Sequence, residues 1–373
     1  MIRQLIAVAM AALTGASVAL CGSPAHADEI RNKQWHLSFL KVAEAQRLST
    51  GKGVTVAVID TGVSNHPDLA GSVSKGTDFV DPGGSGRTDI VGHGTGMAGL
   101  IAAHGKNGNG ALGIAPDAKI LPIRVFEDQK RNVKLAAAIN YAVTHGADVI
   151  NLSVGGSVDP AIIEAVDAAK DADIVVVASA GNKPESVGVT APAFLDSIVA
   201  VGAVDRSGKK AAVSVTGPAL DLMAPGEDIE STSRNGRYRT GTGTSDSAAI
   251  VSGAAALIRS KYPEMSATEV VDRLEATATD KGAPGVDDEY GHGIVNIVAA
   301  LAGGDVPVSG SSGRASSQSS TDSPTQPSTV DASPDADSAG NSTPLLFGGL
   351  VLVVLLGGLV TFLALRRKAP SGP

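Results

Sequence analysis

The feature that most constrains the fold of this chain is a set of apolar, β-branched runs bounded by glycine or polar residues. Such continuous apolar runs are typical of strands that are buried on both faces of a parallel sheet. The runs are 53–60 (GVTVAVID), 119–125 (KILPIRV), 147–152 (ADVINL), 172–178 (ADIVVVA) and 197–204 (SIVAVGAV). Helical patterns lie between several of them, at 93–104, 133–145 and 160–169. This alternation predicts an α/β domain with a mainly parallel central sheet.

Polar residues follow several of these predicted strands at the point where each strand ends. Asp60 closes the first run in IDTG, Asn151 and Ser153 close the third in INLSVGG, and Asn182 follows the fourth in ASAGN. One such residue usually serves the turn that follows the strand. Because sites in open parallel sheets form at the carboxyl ends of the strands, several polar residues at one edge indicate a functional site.

His93 lies between two glycines in VGHGTGMAG, at the start of a helix of small residues. Glycines on both sides allow the backbone and the imidazole to approach another group closely. A purely structural histidine would not explain those two glycines. We therefore take His93 as a candidate for acid–base chemistry.

Ser245 stands in the stretch GTGTSDSAAIVSG, 241–253, where a glycine turn leads into a helix that is apolar or small almost all round. A serine at the start of a buried helix is either an N-cap or a nucleophile placed near free backbone N–H groups. Nucleophilic serine chemistry also requires a base, an orienting acid and donors to an oxyanion. His93, Asp60 and Asn182 can supply these groups, so the nucleophile hypothesis is favoured.

These motifs resemble those of the subtilisin-like serine proteases, in the segments VAVIDTGV, GHGTGMAG, ASAGN and GTSDSAAIVSG. The resemblance covers about 51–302 and implies a three-layer subtilisin-like domain. It implies Asp60 as the orienting acid, His93 as general base and then acid, and Ser245 as the nucleophile. It also implies Asn182 as the oxyanion donor. The residues that it implies for the substrate cleft are Leu152, Ser153, Val154, Gly155, Ser179, Ala180 and Gly181.

Two positions that follow the nucleophile, Asp246 and Ala249, depart from the family pattern. Subtilases usually carry Met-Ala or Phe-Ala there, followed by a proline; this chain has Asp246-Ser247, and Ala249 at the place of the proline. The Asp246 carboxylate could favour the helix dipole, repel the oxyanion or reshape the cleft. An α/β-hydrolase esterase is excluded, because its acid and histidine follow the serine in the chain.

The two ends of the chain predict export and membrane anchoring. A positive start, an apolar stretch and Ala25-His26-Ala27 are typical of a cleaved signal peptide, whose removal takes away the only cysteine. An uncharged apolar segment followed by basic residues predicts a membrane span with a cytoplasmic tail. The catalytic domain would then lie outside the cell, one helix would cross the cell membrane, and the C-terminus would lie in the cytoplasm. The predicted parts are a signal peptide (1–27), an N-terminal extension (28–50), a peptidase domain (51–302), a Ser/Pro/Asp-rich disordered linker (303–343), a transmembrane helix (345–365) and a cytoplasmic tail (366–373).

A narrower resemblance, carried by Gln34-Trp35-His36-Leu37, the linker and the span, is to the mycosins. These are membrane-anchored subtilases associated with type VII secretion. The resemblance implies exported proteins or peptides as substrates and type VII secretion membrane components as partners. We expect a small or medium apolar P1 residue. The alternative is a structural subunit of a secretion complex with weak or dispensable peptidase activity.

Charge and metal chemistry add two expectations. The net charge is −8 and no basic stripe with interleaved aromatics is present, so nucleic-acid binding is not predicted. Subtilases often bind calcium, and Asp78, Asp81 and Asp89 lie in a glycine-rich loop. Their spacing matches no EF-hand loop, which favours solvated carboxylates. We predict no cofactor and no metal, with structural calcium as the alternative.

Overall fold

A computed structural model of the chain describes residues 25–105, 109–126 and 134–303. They belong to the first of two units of the chain, Met1–Ser312, and the second unit, Gly313–Pro373, lies outside the described residues. Apart from a few residues at their edges, four predicted parts also lie outside them. These are the signal peptide (1–27), the linker (303–343), the membrane span (345–365) and the cytoplasmic tail (366–373). Among the described helices, none has the length and apolar character needed to cross a bilayer.

A seven-stranded parallel sheet forms the centre of the described unit, as the apolar runs predict. All five predicted runs are strands in it, each shortened by one to three residues at one end, and β5 extends one residue beyond its run, to Ser179. Two further strands, β2 and β7, add its edges. The strands of the sheet are β1 (Thr55–Asp60), β2 (Thr77–Asp78), β3 (Lys119–Arg124), β4 (Val149–Leu152), β5 (Val175–Ser179), β6 (Val199–Val204) and β7 (Leu222–Pro225).

The strand order is β2-β3-β1-β4-β5-β6-β7, so β1 lies inside the sheet between β3 and β4. In the register of β1 with β3, Asp60 is level with Arg124. In the register of β1 with β4, Ile59 is level with Leu152. The last residues of these neighbouring strands therefore meet at one edge, where the sequence predicts the site.

A short antiparallel pair lies outside the main sheet and is joined directly to the start of a long helix. It consists of β8 (Ile229–Thr232) and β9 (Tyr238–Gly241). At one end of the pair, Ile229 is paired with Gly241. Gly241 is also the last residue of β9, and the following helix begins soon after it, at Thr244.

Helices cover both faces of the sheet and are built mainly from small and aliphatic residues. They are α1 (Ala25–Lys33), α2 (Trp35–Phe39), α3 (Val42–Leu48), α4 (His93–Ala102), α5 (Leu135–Thr144), α6 (Pro160–Asp171), α7 (Thr244–Lys261), α8 (Ala267–Ala276) and α9 (Ile297–Leu301). One apolar cluster joins α4 and α7 to one face of the sheet, and a second joins α5 and α6 to the other face. The domain therefore has the three layers that were predicted.

The helix α7 is the most deeply enclosed element of the described unit. Every residue from Asp246 to Ile258 is buried, and the helix packs along β4 to β7 and against α4. Its run of Ala, Gly and Ser leaves little side-chain bulk between its backbone and the sheet. A helix with such residues on all faces is stabilised by burial on all faces.

The segment before the sheet packs on the domain as short helices, and the last two of them, α2 and α3, do not form one continuous helix. Lys41 has φ 53° and separates α2 from α3. Leu40 and Val42 are both buried in the core. Residues two apart do not share a helix face, so the break lets both side chains reach the same core.

Two side chains attach this segment to the domain by hydrogen bonds. Gln34 Nε2 donates to the carbonyls of Leu112 (3.1 Å) and Glu230 (3.2 Å), and Gln34 Oε1 accepts from the Leu112 N–H (2.8 Å). Trp35 Nε1 donates to the carbonyl of Glu227 (3.1 Å). The segment therefore belongs to the folded unit.

His36 is a buried titratable group within that segment. Its side chain is completely enclosed, and neither ring nitrogen has a hydrogen-bond partner among the described residues. Burial lowers the pKa of His36 to about 3, so the imidazole is neutral in the native state near neutral pH.

Candidate active site

Asp60 and His93 form a directly hydrogen-bonded pair at the carboxyl end of β1. The two carboxylate oxygens of Asp60 lie 2.8 and 2.9 Å from His93 Nδ1. Asp60 is fully buried, and its Oδ1 also accepts the N–H of Thr61 at 2.6 Å. A carboxylate acceptor at Nδ1 keeps the proton on that nitrogen, which leaves Nε2 free to accept another. His93 retains 28% of its side-chain exposure, so Nε2 can be reached from the solvent side.

The pKa of His93 is raised above its ordinary value by this environment. Burial acts in the opposite direction, but the charge and the hydrogen bond of Asp60 more than offset it. Two smaller effects act in opposite directions: Arg239 lowers the pKa of His93, and Asp246 raises it. The imidazole is thus tuned by one direct partner and by an ion pair nearby.

The glycines on either side of His93 have the role that the sequence suggested. Gly92 precedes α4 with φ 95°, a left-handed conformation that favours glycine. A Cβ on Gly94 would lie 2.2 Å from the carbonyl oxygen of Gly62. Gly94 therefore lets the start of α4 approach the loop after β1 closely enough for His93 to reach Asp60, and Gly92 provides the left-handed turn that precedes it.

The acidic residues of the loop before α4 only partly match the prediction of solvated carboxylates. Asp81 is exposed, but Asp78 and Asp89 are buried. Asp78 pairs with Arg124 at 3.0 Å, a contact that requires the strand register and could not be seen in the sequence. For Asp78 and Asp89 the prediction was wrong.

Asp89 is a hydrogen-bond centre that supports the loop and the first turn of α4. Its Oδ1 accepts from the hydroxyl of Thr61 (2.9 Å) and the N–H of Gly92 (2.7 Å). Its Oδ2 accepts from the N–H (2.9 Å) and the hydroxyl (2.6 Å) of Thr95. These protein donors occupy the carboxylate, and the described residues contain no group of three or more metal-binding side chains.

Ser245 is the second residue of α7, and the N-cap alternative for it is wrong. The N-cap position is Gly243, two residues earlier. Ser245 is partly exposed, whereas Thr244 and Asp246 on either side are buried. Its N–H lies in the first turn of a helix, where backbone donors have no intrahelical acceptor. The residue therefore presents both a hydroxyl and a free backbone donor at the sheet edge.

The end of β4 holds the backbone of Ser245 in place. Ser153 Oγ donates to the Ser245 carbonyl at 3.1 Å, and Asn151 Nδ2 donates to Ser153 Oγ at 3.0 Å. Ser252 lies about two turns further along α7 than Ser245. Its Oγ donates to Asn151 Oδ1 at 3.0 Å. The two polar residues that close β4 are therefore occupied in supporting α7.

Asn182 is attached to the start of the same helix. Its Oδ1 accepts the N–H of Thr244 at 3.0 Å and the hydroxyl of Thr244 at 3.1 Å. The N–H of Gly181 in turn donates to that hydroxyl at 3.1 Å. Since Oδ1 is used in this way, the Nδ2 donors of Asn182 remain available, and Nδ2 would lie 3.2 Å from a Cβ on Gly243, two residues before Ser245.

The residues predicted for the substrate cleft lie at the ends of β4 and β5. Leu152 and Ala180 have fully buried side chains and can offer only backbone atoms, and Ser153 and Ser179 are also buried. Val154 and Gly155 are at least partly exposed, as is Gly181. The cleft assignment of all of them stays a prediction.

Asp246 forms an ion pair with Arg239, a residue that the sequence reasoning missed. Arg239 Nη2 donates to Asp246 Oδ1, and the carboxylate is almost fully buried. Ala249 lies buried inside α7, where the family pattern would place proline. The sequence feature that could have pointed to Arg239 is its position shortly before Asp246, a carboxylate that the family pattern does not contain.

Comparisons with known proteins show the family to which the chain belongs. The subtilase family (Peptidase_S8) matches residues 51–293. Subtilisin DY of Bacillus licheniformis is 42% identical over 257 residues, which cover 67% of this chain and 91% of that protein. The chain belongs to the subtilase family, and it is a subtilisin-like serine endopeptidase.

Solved structures narrow the likeness within that family. A crystal structure of MycP1 from Mycobacterium smegmatis is 31% identical, with a TM-score of 0.66, covering 72% of this chain and 84% of that one. The MycP3 protease from the type VII (ESX-3) secretion system is 33% identical, with a TM-score of 0.63, covering 72% and 88%. The structural neighbours thus include mycosins.

Proposed function

We propose that this chain is a membrane-anchored extracellular serine endopeptidase that uses Asp60, His93 and Ser245 as its triad and Asn182 as an oxyanion donor. The observation that carries the assignment is the contact of Asp60 with His93 Nδ1, at 2.8 and 2.9 Å. It leaves Nε2 as the base at the sheet edge where α7, with Ser245 as its second residue, begins. The hydrogen bonds of Asn182 Oδ1 to Thr244 support Asn182 Nδ2 as a donor to the carbonyl oxygen of the bound peptide.

In this mechanism Ser245 Oγ attacks the carbonyl carbon of the peptide while His93 Nε2 takes the hydroxyl proton. Asp60 stabilises the imidazolium that forms. The Ser245 N–H and Asn182 Nδ2 donate to the oxyanion of the tetrahedral intermediate. His93 then gives the proton to the leaving amine, which produces an acyl-enzyme. Water, deprotonated by His93, releases the acid and restores the Ser245 hydroxyl.

The substrates that we propose are exported proteins or peptides, and the setting is type VII secretion. The likeness to MycP1 and MycP3 supports this, as do the signal, linker and span predicted at the two ends of the chain. The membrane components of that system are the proposed partners. A domain held close to the outer face of the membrane would meet its substrates as they emerge.

The alternative of a structural subunit with dispensable activity rests on Asp246 as an unfavourable charge beside the nucleophile and on the anchored architecture. The pairing of Asp246 with Arg239 weakens the first of these two reasons. The peptidase therefore remains the better supported function.

A serine-reactive fluorophosphonate probe tests the proposal on the full chain. The expected result is labelling of the wild type, loss of labelling in Ser245→Ala and retained labelling in Ser260→Ala. Ser260 is a matched control because it lies in the same helix and donates only to the Lys52 carbonyl. Absence of labelling in a folded wild-type sample would favour the structural role.

Membrane anchoring is tested separately by fractionation. The full chain should sediment with membranes, and a chain that ends at Thr343 should be released into the soluble fraction. Recovery of both chains in the soluble fraction would refute the anchor.

A further inference from the structure

Arg239 and Asp246 form an ion pair that connects two structural elements next to the proposed triad. Arg239 lies in β9, and Asp246 lies in the first turn of α7, directly after Ser245. Arg239 Nη2 donates to Asp246 Oδ1. The side chains are 20% and 3% exposed, so the pair is largely shielded from water.

The guanidinium occupies space that two glycines leave open. A Cβ on Gly96, in the helix that begins with His93, would lie 2.9 Å from Arg239 Nε. A Cβ on Gly241, just before α7, would lie 2.0 Å from Arg239 Nη2. Arg239 is therefore lodged between the helix that carries His93 and the residues that lead to Ser245.

The strand beside β9 is tied to the same turn of α4. Ser231 Oγ donates to the Gly96 carbonyl at 2.7 Å, and Thr232 Oγ1 donates to the Thr95 carbonyl at 2.6 Å. Both serine and threonine are buried. The β8–β9 pair thus holds α4 through hydrogen bonds, and Arg239 extends this attachment to α7.

Stability alone does not account for this arrangement. A buried ion pair loses hydration that its attraction barely repays, and apolar residues of similar volume are often as stable. Arg239 Nε is also buried without a hydrogen-bond partner in the part of the chain that the structure describes. Such an unpaired donor lowers the stability of the fold. The position of the guanidinium is better explained by what it does to its neighbours.

The neighbour that both charges affect is His93. The charged groups that act on His93 are Asp60 from β1, Arg239 from β9 and Asp246 from α7. Arg239 lowers the pKa of His93, and Asp246 raises it. An uncompensated Asp246 would also place negative charge beside the site where the oxyanion develops.

We propose that Arg239 is a positioning residue of the peptidase reaction, which joins α4 to the first turn of α7 and cancels the charge of Asp246 beside His93. The proposal rests on the assignment of His93 and Ser245 made above. It explains how the chain tolerates a carboxylate directly after its nucleophile.

The test is the pH dependence of kcat/KM for a chromogenic peptide substrate, measured on the full chain and on three variants. Arg239→Gln leaves Asp246 uncompensated, so the acid limb moves to higher pH. Asp246→Asn leaves Arg239 uncompensated, so the acid limb moves to lower pH. Each shift is expected to be on the order of half a pH unit. The double variant, which has no charge at either position, returns the acid limb close to that of the wild type.

Arg259→Gln is the matched control, because it breaks another ion pair of α7, the one with Asp173. Arg259 lies 14 residues after Ser245, about 21 Å along the helix, so its loss leaves the acid limb in place. A purely structural role for Arg239 would lower thermal stability without opposite shifts of the acid limb.

The outcomes separate the two proposals. If Ser245→Ala retains activity, the assignment of the triad fails. If Ser245→Ala is inactive but Arg239→Gln and Asp246→Asn shift the limb in the same direction or not at all, the positioning role is overturned. Should Arg239→Gln fail to fold, Asp246→Asn and the double variant still show in which direction the acid limb moves when one charge of the pair is lost.

Discussion

Asn182 and Thr244 are joined by two hydrogen bonds that converge on one oxygen, Asn182 Oδ1. This contact occupies the amide oxygen and leaves the amide nitrogen without that partner. Under the proposed mechanism, the orientation of this one side chain decides whether Asn182 presents a donor or an acceptor to the oxyanion.

Asn182→Ala is expected to lower kcat about 10²–10³-fold, a loss established for the corresponding type of donor in subtilisin itself. KM should change little, because the donor acts mainly in the transition state. Steady-state kinetics with a peptide substrate measures both constants. Thr244→Val removes one donor to Oδ1 but leaves Nδ2, so it should cost far less. An equal loss in both variants would contradict the role of Asn182.

Asp60→Asn is expected to lower kcat about 10⁴-fold, because the imidazole loses the partner that fixes its tautomer. The carboxylate is also what raises the pKa of His93, so the acid limb of the remaining activity should move to lower pH. A pH profile of kcat/KM measures the shift. Asp148→Asn is the control, since Asp148 accepts the Thr55 N–H (2.7 Å) at the opposite end of β1. A shift to higher pH would contradict the assignment.

Gly99→Ala is expected to destabilise the domain by about 1–3 kcal/mol, because a Cβ there has no room. It would lie 2.1 Å from Thr232 Oγ1 and 2.8 Å from Ser231 Oγ. The better helix propensity of alanine, worth about 1 kcal/mol, opposes this effect but is smaller than the overpacking. Urea unfolding measures the difference. At Gly156 no atom lies within 4 Å of an added Cβ, so Gly156→Ala should be nearly neutral.

His36→Leu is expected to make the protein more resistant to acid. The pKa of the buried imidazole is about 3, below its unfolded value, so native His36 contributes full stability only above the unfolded pKa. This stability is lost as the pH falls from the unfolded pKa towards about 3. At about pH 4 the loss amounts to about 3 kcal/mol in the wild type.

The measurement for His36 is urea unfolding at neutral pH and in acid. The leucine variant should show a smaller acid-induced loss of unfolding free energy than the wild type. As a control, His145→Gln removes an exposed histidine and leaves the buried His36 in place, so the acid-induced loss due to His36 should remain. Identical acid sensitivity of wild type and His36→Leu would rule out His36 as its source.

The strands of the main sheet could be predicted where apolar burial alone defines them. Val175–Ser179 is buried at every position, and its run of valines is visible without the structure. Tyr238–Gly241 has no such run, and it forms a strand because Ile229–Thr232 pairs with it. A short polar strand depends on its cross-strand partner, which local sequence does not identify.

The site divides in the same way. Asp60, His93 and Ser245 stand at a strand end or a helix start with glycines nearby, and this local pattern made them recognisable. Arg239 has no such glycine-bounded pattern, and its position shortly before Asp246 does not by itself show that the two side chains meet. Its place depends on the space beside Gly96 in a distant helix, which only the folded structure reveals.

The order of the site along the chain determines when the enzyme becomes able to cut. Asp60 and His93 are synthesised early, whereas α7 can take its place only after β4 to β7 exist to receive it. For most of its synthesis the chain therefore holds its acid and base without a positioned nucleophile.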